Sequence, residues 1–385
     1  MKRIGIVTSS KELNYGAILQ AYAMQKVVEE LGYKSELLWW DNQKKSHHDV
    51  RIRKVLSMSK DILRNPKRFV KTIKKYNHAL KKQFSDGSIC FFEEFEFDKL
   101  NIKYLSYSGM KKYTKNNDVI AVICGSDQIW DSHALYVDPF YYLRFAPREK
   151  RIAYAPSIGK STIPKYNLKK IIKYISEIDY LSVREYSAKL LLEQLTGKAV
   201  TNVCDPSFLL TAKQWQLYEK KINIKEDYVL LYFLDDPSES FKKQIRNYVV
   251  LMNIAVYALP YVFDYGIDVN YIDAGPAEFL FLIRKAKLIL TDSFHGTAFS
   301  INYQKPFLTY SRQYGVNEKQ ESRILDLLRI AGLEGHYINE IKDKKVDELL
   351  MEYEDGRLQQ FIYESKNYLV DAIKSIKKED SCICE

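Results

Sequence analysis

Along the chain, short unbroken apolar runs alternate with stretches whose apolar residues recur every three or four positions. RIGIVTSS (3–10) is one such run. After a polar loop, Ile18, Leu19, Tyr22, Met24, Val27, Val28 and Leu31 follow at helical spacing, and Gly32 is placed to end the helix. KSELLWW (34–40) reads as the next strand, so the chain opens as a parallel α/β domain. The pattern breaks over 44–100, where Pro66 divides two predicted helices and SDGS (85–88) is expected to end them. It resumes with DVIAVICGSDQIW (118–130), RIAYAPSIG (151–159) and YLSVREYSAKLLLEQLTG (180–197), the last a strand end leading into a helix stopped by Gly197.

VTNVCDPSFLLTAKQW (200–215) reads as the exit from this domain. A second alternating series follows: DYVLLYFL, SESFKKQIRNYVVLM, IAVYALP, PAEFLFLIRKA, KLILTDS, FHGTAFSINYQ and PFLTYS. The expectation is an α/β fold of two domains with a cleft between them. The first spans 1–205 and carries a basic helical insertion at about 44–100, the second spans 206–355, and a helix and tail occupy 356–385.

Charge sharpens the picture at one place. The chain carries +10 overall, yet 44–82 holds fourteen Lys/Arg against two acids, which leaves the rest slightly acidic. That stretch reads either as a solvated helical insertion or as a patch for an anionic partner. Its Val55, Leu56, Ile62, Leu63, Phe69, Val70 and Ile73 suit either packing on the first domain or lying in a membrane interface. It has no nucleic-acid motif, and nucleic acid is not an expected partner. The apolar run at the N-terminus is too short for a secretory leader, and VVLMNIAVYALPYVF (249–263) falls short of the ~20 residues that span a bilayer. A cytoplasmic placement is expected. Cys90, Cys124 and Cys204 read as buried thiols, while Cys382, Cys384 and the His47-His48 pair lack metal-ligand spacing, so no metal-ligand site is expected and no cofactor is required, with a divalent ion at a bound phosphate left open.

Candidate chemistry gathers where predicted strands give way to helices, the ligand-binding end of parallel sheets. In TDSFHGTAFS (291–300), the amides of Gly296, Thr297 and Ala298 begin a helix and suit a phosphate or carboxylate, beside Ser293, Phe294 and a proton carrier, His295. The competing reading is a capping turn whose histidine packs. Arg184 sits at a similar junction, as an anion clamp or as a salt-bridge partner of Glu185. Asn14, Tyr15 and Gly16 open the first helix, with Asn14 also suited to cap it. Ser126, Asp127 and Gln128 offer hydroxyl-binding groups and Trp130 a face for a sugar ring, or else a turn and a core tryptophan. There is no P-loop and no GxGxxG.

Taken in order, GIVTSSKELNYGAILQAYAMQ, VICGSDQIWD, YAPSIG, LSVREYSAKLLLEQLTG, CDPSFLL, TDSFHGTAFSINYQKPF and ESRILDLL resemble the polysaccharide pyruvyl transferase family, over roughly 1–330. The resemblance implies two Rossmann-like domains in a glycosyltransferase-B-like arrangement. It implies transfer of pyruvate from phosphoenolpyruvate, as co-substrate, onto two hydroxyls of a hexose in a surface-glycan precursor, with release of phosphate. His295 matches the family's histidine and would protonate the enol carbon; Arg184 matches its donor-binding arginine. The acceptor is expected to be a hexose carried on a polyprenyl diphosphate or in a finished glycan, gripped by Asn14, Tyr15, Gly16, Ser126, Asp127, Gln128 and Trp130. The 44–82 stretch would suit a peripheral dock on an anionic membrane. One departure stands out: where some members carry arginine two residues before the histidine, this chain has Ser293. Arg323 or Arg312 then becomes the candidate cation, unless the donor differs. Rival readings are a glycosyltransferase using a nucleotide-sugar donor and a non-catalytic carbohydrate-binding relative.

Overall fold

The computed structural model describes residues 1–10, 13–40, 84–134, 136–160, 162–312, 322–339 and 356–382, with isolated positions 56, 59, 63, 66 and 70. The basic stretch 44–82 and the helices predicted in it thus lie almost wholly outside the described residues.

Strands β1 (Arg3–Val7), β2 (Lys34–Trp40), β3 (Ile102–Leu105), β4 (Val119–Cys124), β5 (Arg151–Ala153), β6 (Tyr180–Val183) and β7 (Thr201–Asn202) form a parallel sheet in the order β3-β2-β1-β4-β5-β6-β7. A second parallel sheet, ordered β10-β9-β8-β11-β12-β13, contains β8 (Tyr228–Phe233), β9 (Ala255–Pro260), β10 (Asn270–Tyr271), β11 (Leu288–Thr291), β12 (Phe307–Tyr310) and β13 (Tyr337–Ile338). Both orders reverse direction beside their first strand, as in Rossmann folds. The central strands read VIAVIC and YVLLYF because both faces of a parallel sheet are covered, and every residue of β4 and β8 is buried.

Helix α1 (Tyr15–Glu30) follows β1 and is capped by Asn14, whose side chain accepts from the Ala17 amide. It is buried on nearly all sides because it sits between the domains. The ring of Tyr15 stacks on Phe279 at 4.7 Å, contacts Phe92 at 4.9 Å, and its hydroxyl donates to the Ala274 carbonyl at 3.1 Å. One apolar core therefore runs from the first domain into the second. Tyr15, expected to touch an acceptor, is instead a core residue: its ring is fully buried and its hydroxyl is spent on the interface.

SDGS (85–88) begins a helix, and the helix it was expected to end lies outside the described residues. Ser85 caps this new helix, α2 (Asp86–Lys99), which buries Phe92 and Phe95, and Ser88 Oγ accepts from the Ala274 amide of the second domain. Next come α3 (Tyr107–Thr114), α4 (Lys165–Ile175) and α5 (Tyr186–Thr196). Between the sheets the chain runs through a 3-10 turn at Pro206–Phe208 and α6 (Ala212–Gln216). The second domain adds α7 (Glu239–Met252), α8 (Pro276–Lys285), α9 (Phe294–Asn302) and α10 (Ser322–Ala331). Helix α11 (Gly356–Cys382) returns to the first sheet, where Ser365 Oγ accepts from the Cys204 amide and Tyr368 donates to the Ala153 carbonyl. No described helix is long and apolar enough to cross a membrane.

Because the aromatic contact joins the domains, Phe279→Ala is expected to cost roughly 3–5 kcal/mol. A fall in the urea midpoint, read with probes in each domain, checks this; an unchanged midpoint would show that the interface contributes little.

Candidate active site

A cleft of about 510 Å³ opens where the carboxyl ends of the two sheets meet. Each Rossmann sheet places its switch point there. From the first come Ser9 and Asn14 after β1 and Asp127 and Gln128 after β4; from the second come Leu234 after β8 and Ser293, Phe294 and His295 after β11. Arg312, after β12, and Arg323, on α10, complete the second domain's side. A loop of the first domain adds Asp131, Tyr136, Asp138 and Tyr141.

Beneath this cleft lies a buried charge cluster centred on Asp205. Its Oδ2 accepts from Arg184 Nη1 at 2.7 Å, lies 3.0 Å from Ser126 Oγ and 3.8 Å from His295 Nε2, while Oδ1 accepts from the Ser207 amide. At 3.8 Å the imidazole is an ion-pair neighbour, too far for a direct hydrogen bond. Burial pushes the Asp205 carboxyl upward, but His295, Arg184 and the Ser207 amide outweigh it and hold the group well below the usual carboxylate range. Arg184 Nε reaches Glu185 at 3.3 Å, and its guanidinium lies 4.2 Å from the centroid of the Phe294 ring. Arg184 Nη2 lies 3.9 Å from Asp127 Oδ1, so three carboxylates surround the one guanidinium.

His295 belongs to the second domain but is held by the first. A Cβ at Gly16 would stand 1.9 Å from the imidazole Cγ and Nδ1, so only glycine lets α1 approach the ring. The Phe294 ring meets the imidazole edge-on at 5.2 Å. Nε2 has no hydrogen-bond partner among the described residues, and His295 lines the cleft.

Several sequence expectations are corrected here. Arg184, expected as an anion clamp, is not among the residues lining the cleft: with its side chain 4% exposed it stands behind Phe294, its Nη1 and Nε are engaged by Asp205 and Glu185, and Nη2, 3.9 Å from Asp127, has no hydrogen-bond partner among the described residues. Ser126 is fully buried and supports Asp205. Trp130 is buried, stacked on Tyr142 at 5.0 Å and 2°, and its Nε1 donates to the Tyr141 carbonyl, so it builds the wall and offers no sugar-facing surface. Gly16 shapes the imidazole pocket and does not line the cleft. The amides expected to bind an anion are also displaced: Gly296 N–H points to Ser293 Oγ, and Thr297 N–H donates to the Ser293 carbonyl. Thr297 Oγ1 is buried against Thr309, and a Cβ at Gly296 would strike Thr291 Oγ1. The amides of the first turn left without a partner among the described residues are those of Phe294 and His295. Asn14, Asp127, Gln128, Ser293, Phe294, His295 and Arg323 all reach the cleft.

Asp205 and Asp292 were not singled out from sequence. CDPSFLL held the only available hint of the first, an aspartate inside an apolar run. Asp292 accepts from the Leu234 and Asp235 amides at 2.7 and 3.0 Å and lies 3.1 Å from Arg312 Nε. Burial raises its carboxyl above the ordinary value, against Arg312 and those amides. Among the described residues no group of three or more His, Cys, Asp or Glu side chains is placed to hold a metal.

Two Rossmann-like domains with facing switch points define a glycosyltransferase-B-like protein with its site in the interdomain cleft. Solved structures of this shape include the UDP-N-acetylglucosamine 2-epimerase of Rickettsia bellii (TM-score 0.53, 10% identity, covering 98% of this chain and 97% of that one). The UDP-GlcNAc 2-epimerase of Methanocaldococcus jannaschii is similar too (0.51, 13%, 94% and 93%). At these identities the likeness concerns the fold. The chain belongs to the polysaccharide pyruvyl transferase family, whose model matches residues 14–314. No curated protein matches it by sequence.

Gly16→Ala is expected to displace His295 and lower transfer about 10²-fold or more, since an ångström of misplacement has that effect. Unchanged circular dichroism with unchanged activity would remove the packing argument. Asp205, with its folded value depressed, stabilises fully above its unfolded value of about 3.9 and loses that contribution as pH falls. The stability gap between wild type and Asp205→Asn, from urea titrations, should be widest above about pH 5 and narrow below about pH 4; a gap that widens in acid would contradict the assignment.

Proposed function

We propose that the protein transfers pyruvate from phosphoenolpyruvate onto two hydroxyls of a hexose in a glycan precursor, forming a cyclic ketal. His295 supplies the proton to C3 of the enol. C2 then takes up one sugar hydroxyl, whose proton goes back to the base left at His295. As the second hydroxyl adds, the bond from C2 to the phosphate oxygen breaks, and inorganic phosphate leaves carrying that hydroxyl's proton. The observation that carries this reading, beyond family membership, is His295: it lines the cleft, and its buried Nε2 has Asp205 at 3.8 Å but no hydrogen-bond partner among the described residues. The donor's carboxylate and phosphate would lie toward Arg312, Arg323 and the amides of Phe294 and His295, where charge is stabilised through the reaction. We assign the acceptor to the first domain's side, and a polyprenyl-diphosphate carrier with contact to an anionic membrane through 44–82 belongs to the same proposal.

The test is phosphate release from phosphoenolpyruvate with a panel of free and lipid-linked hexosides. Wild type should release phosphate only with an acceptor and add a pyruvyl mass to it; His295→Ala should lose about 10²–10⁴-fold. Arg312→Ala should chiefly raise KM for phosphoenolpyruvate. Acceptor-dependent release undiminished in His295→Ala would reject the assigned acid, and no release by wild type with any acceptor would reject the donor.

A further inference from the structure

Among the described residues, the charged side chains on the two walls of the cleft have opposite sign. Arg312 and Arg323 belong to the second domain, whereas Asp127, Asp131 and Asp138 belong to the first, with His295 between them. On the acidic side, half-buried Tyr136 and Tyr141 line the same wall, and buried Trp130, stacked on Tyr142, braces it from behind. Asp131 and Asp138 are fixed in place: Oδ1 of each accepts a backbone amide two residues on, from His133 at 2.9 Å and Phe140 at 3.0 Å. Lys170 Nζ lies 4.8 Å from the Tyr136 ring centroid but does not line the cleft. His295 lines the space these walls enclose, 5% exposed as a residue, while its Nε2 is buried 3.8 Å from Asp205 Oδ2 and has no hydrogen-bond partner among the described residues.

We infer that Asp131, Tyr136, Asp138 and Tyr141 form the acceptor subsite and select an uncharged or amino hexose over a hexuronic acid. Carboxylates held by turn amides accept hydrogen bonds from sugar hydroxyls or from an ammonium group, and tyrosine rings cover the apolar face of a pyranose. The same carboxylates repel a carboxylate on the sugar ring, so selection arises from repulsion as well as from fit. This rests on the reading of the opposite wall as the donor side. The acidic wall would also keep the anionic donor from binding in the acceptor's place.

Binding without donor separates this inference from the reaction itself. Saturation-transfer NMR would compare methyl hexopyranosides and methyl 2-amino-2-deoxyhexopyranosides with the matching methyl hexopyranosiduronates, on the full chain. The uronates should bind at least about tenfold more weakly than their neutral counterparts. Asp131→Asn and Asp138→Asn keep the oxygen that caps each turn, so the fold should persist; each should narrow the difference, and the double variant should nearly abolish it. Uronates that bind as well as neutral sugars, a difference untouched by both variants, or no binding by any glycoside would overturn the inference. Should the binding pattern hold while no pyruvyl transfer occurs, the subsite stands and the proposed reaction falls.

Discussion

The ion pair between Arg184 and Asp205 is what the rest of the site depends on. Both side chains are almost fully excluded from water, so each carries a large desolvation cost that only its partner and the surrounding hydrogen bonds offset. Such a pair is a poor device for raising stability, because an apolar pair of similar volume often serves as well. Its use here is positional. Asp205 stands where the chain leaves the first sheet, tied to Ser126 after β4 and to the Ser207 amide, and its second oxygen faces an imidazole from the other domain. The carboxylate therefore fixes where a proton carrier of the second domain sits relative to the first.

That fixation works because the domains cannot slide easily. Glycosyltransferase-B-like architecture leaves room for hinge motion where interfaces are polar and small. Here the interface contains Tyr15 stacked on Phe279, with Phe92 and Tyr232 against the same tyrosine. Helix α2 and helix α11 add further ties, the first to the second domain and the last back to the first. Opening the cleft by domain rotation would expose this aromatic core to water. The facing switch points are thus held at a set distance, and binding adjustments fall to loops and side chains around the cleft.

The parallel-sheet pattern was legible because buried strands such as VIAVIC and YVLLYF are continuous apolar runs, and the helices between them keep their period. Helix α2 was not: Gly87 beside Ser85 reads as a breaker, and only the docking of Phe92 and Phe95 onto the interface shows the serine to be a cap. At the site, position along the chain identified which loops matter, and His295 with its neighbours was found that way. It did not show which way side chains face. Trp130 was read as a sugar platform and Tyr15 as an acceptor contact, but large aromatic groups bring more stability when buried in a core. Asp205 escaped notice since a buried carboxylate is recognisable only by its partners, which lie at 126, 184, 207 and 295.

Ser293, read from the sequence as a departure from some family members, has a physical reading in its own right. Residue 293 is the cap of α9: its Oγ faces the Gly296 amide, and its own amide donates to Thr291 Oγ1. An arginine side chain has no acceptor and cannot cap in this way. The turn gains a cap and loses a cation, and a guanidinium arrives instead from the end of β12. Arg312 Nε binds the Asp292 carbonyl at 3.0 Å and its carboxylate at 3.1 Å, while that carboxylate also accepts the Leu234 and Asp235 amides. Because the Asp292 carboxyl is buried, removing Arg312 leaves it less well compensated, and removing Asp292 leaves the arginine without its anchor. The positive charge that Arg312 brings to the cleft is therefore placed through a neighbouring strand, and the precision of its placement depends on Asp292 as much as on Arg312 itself.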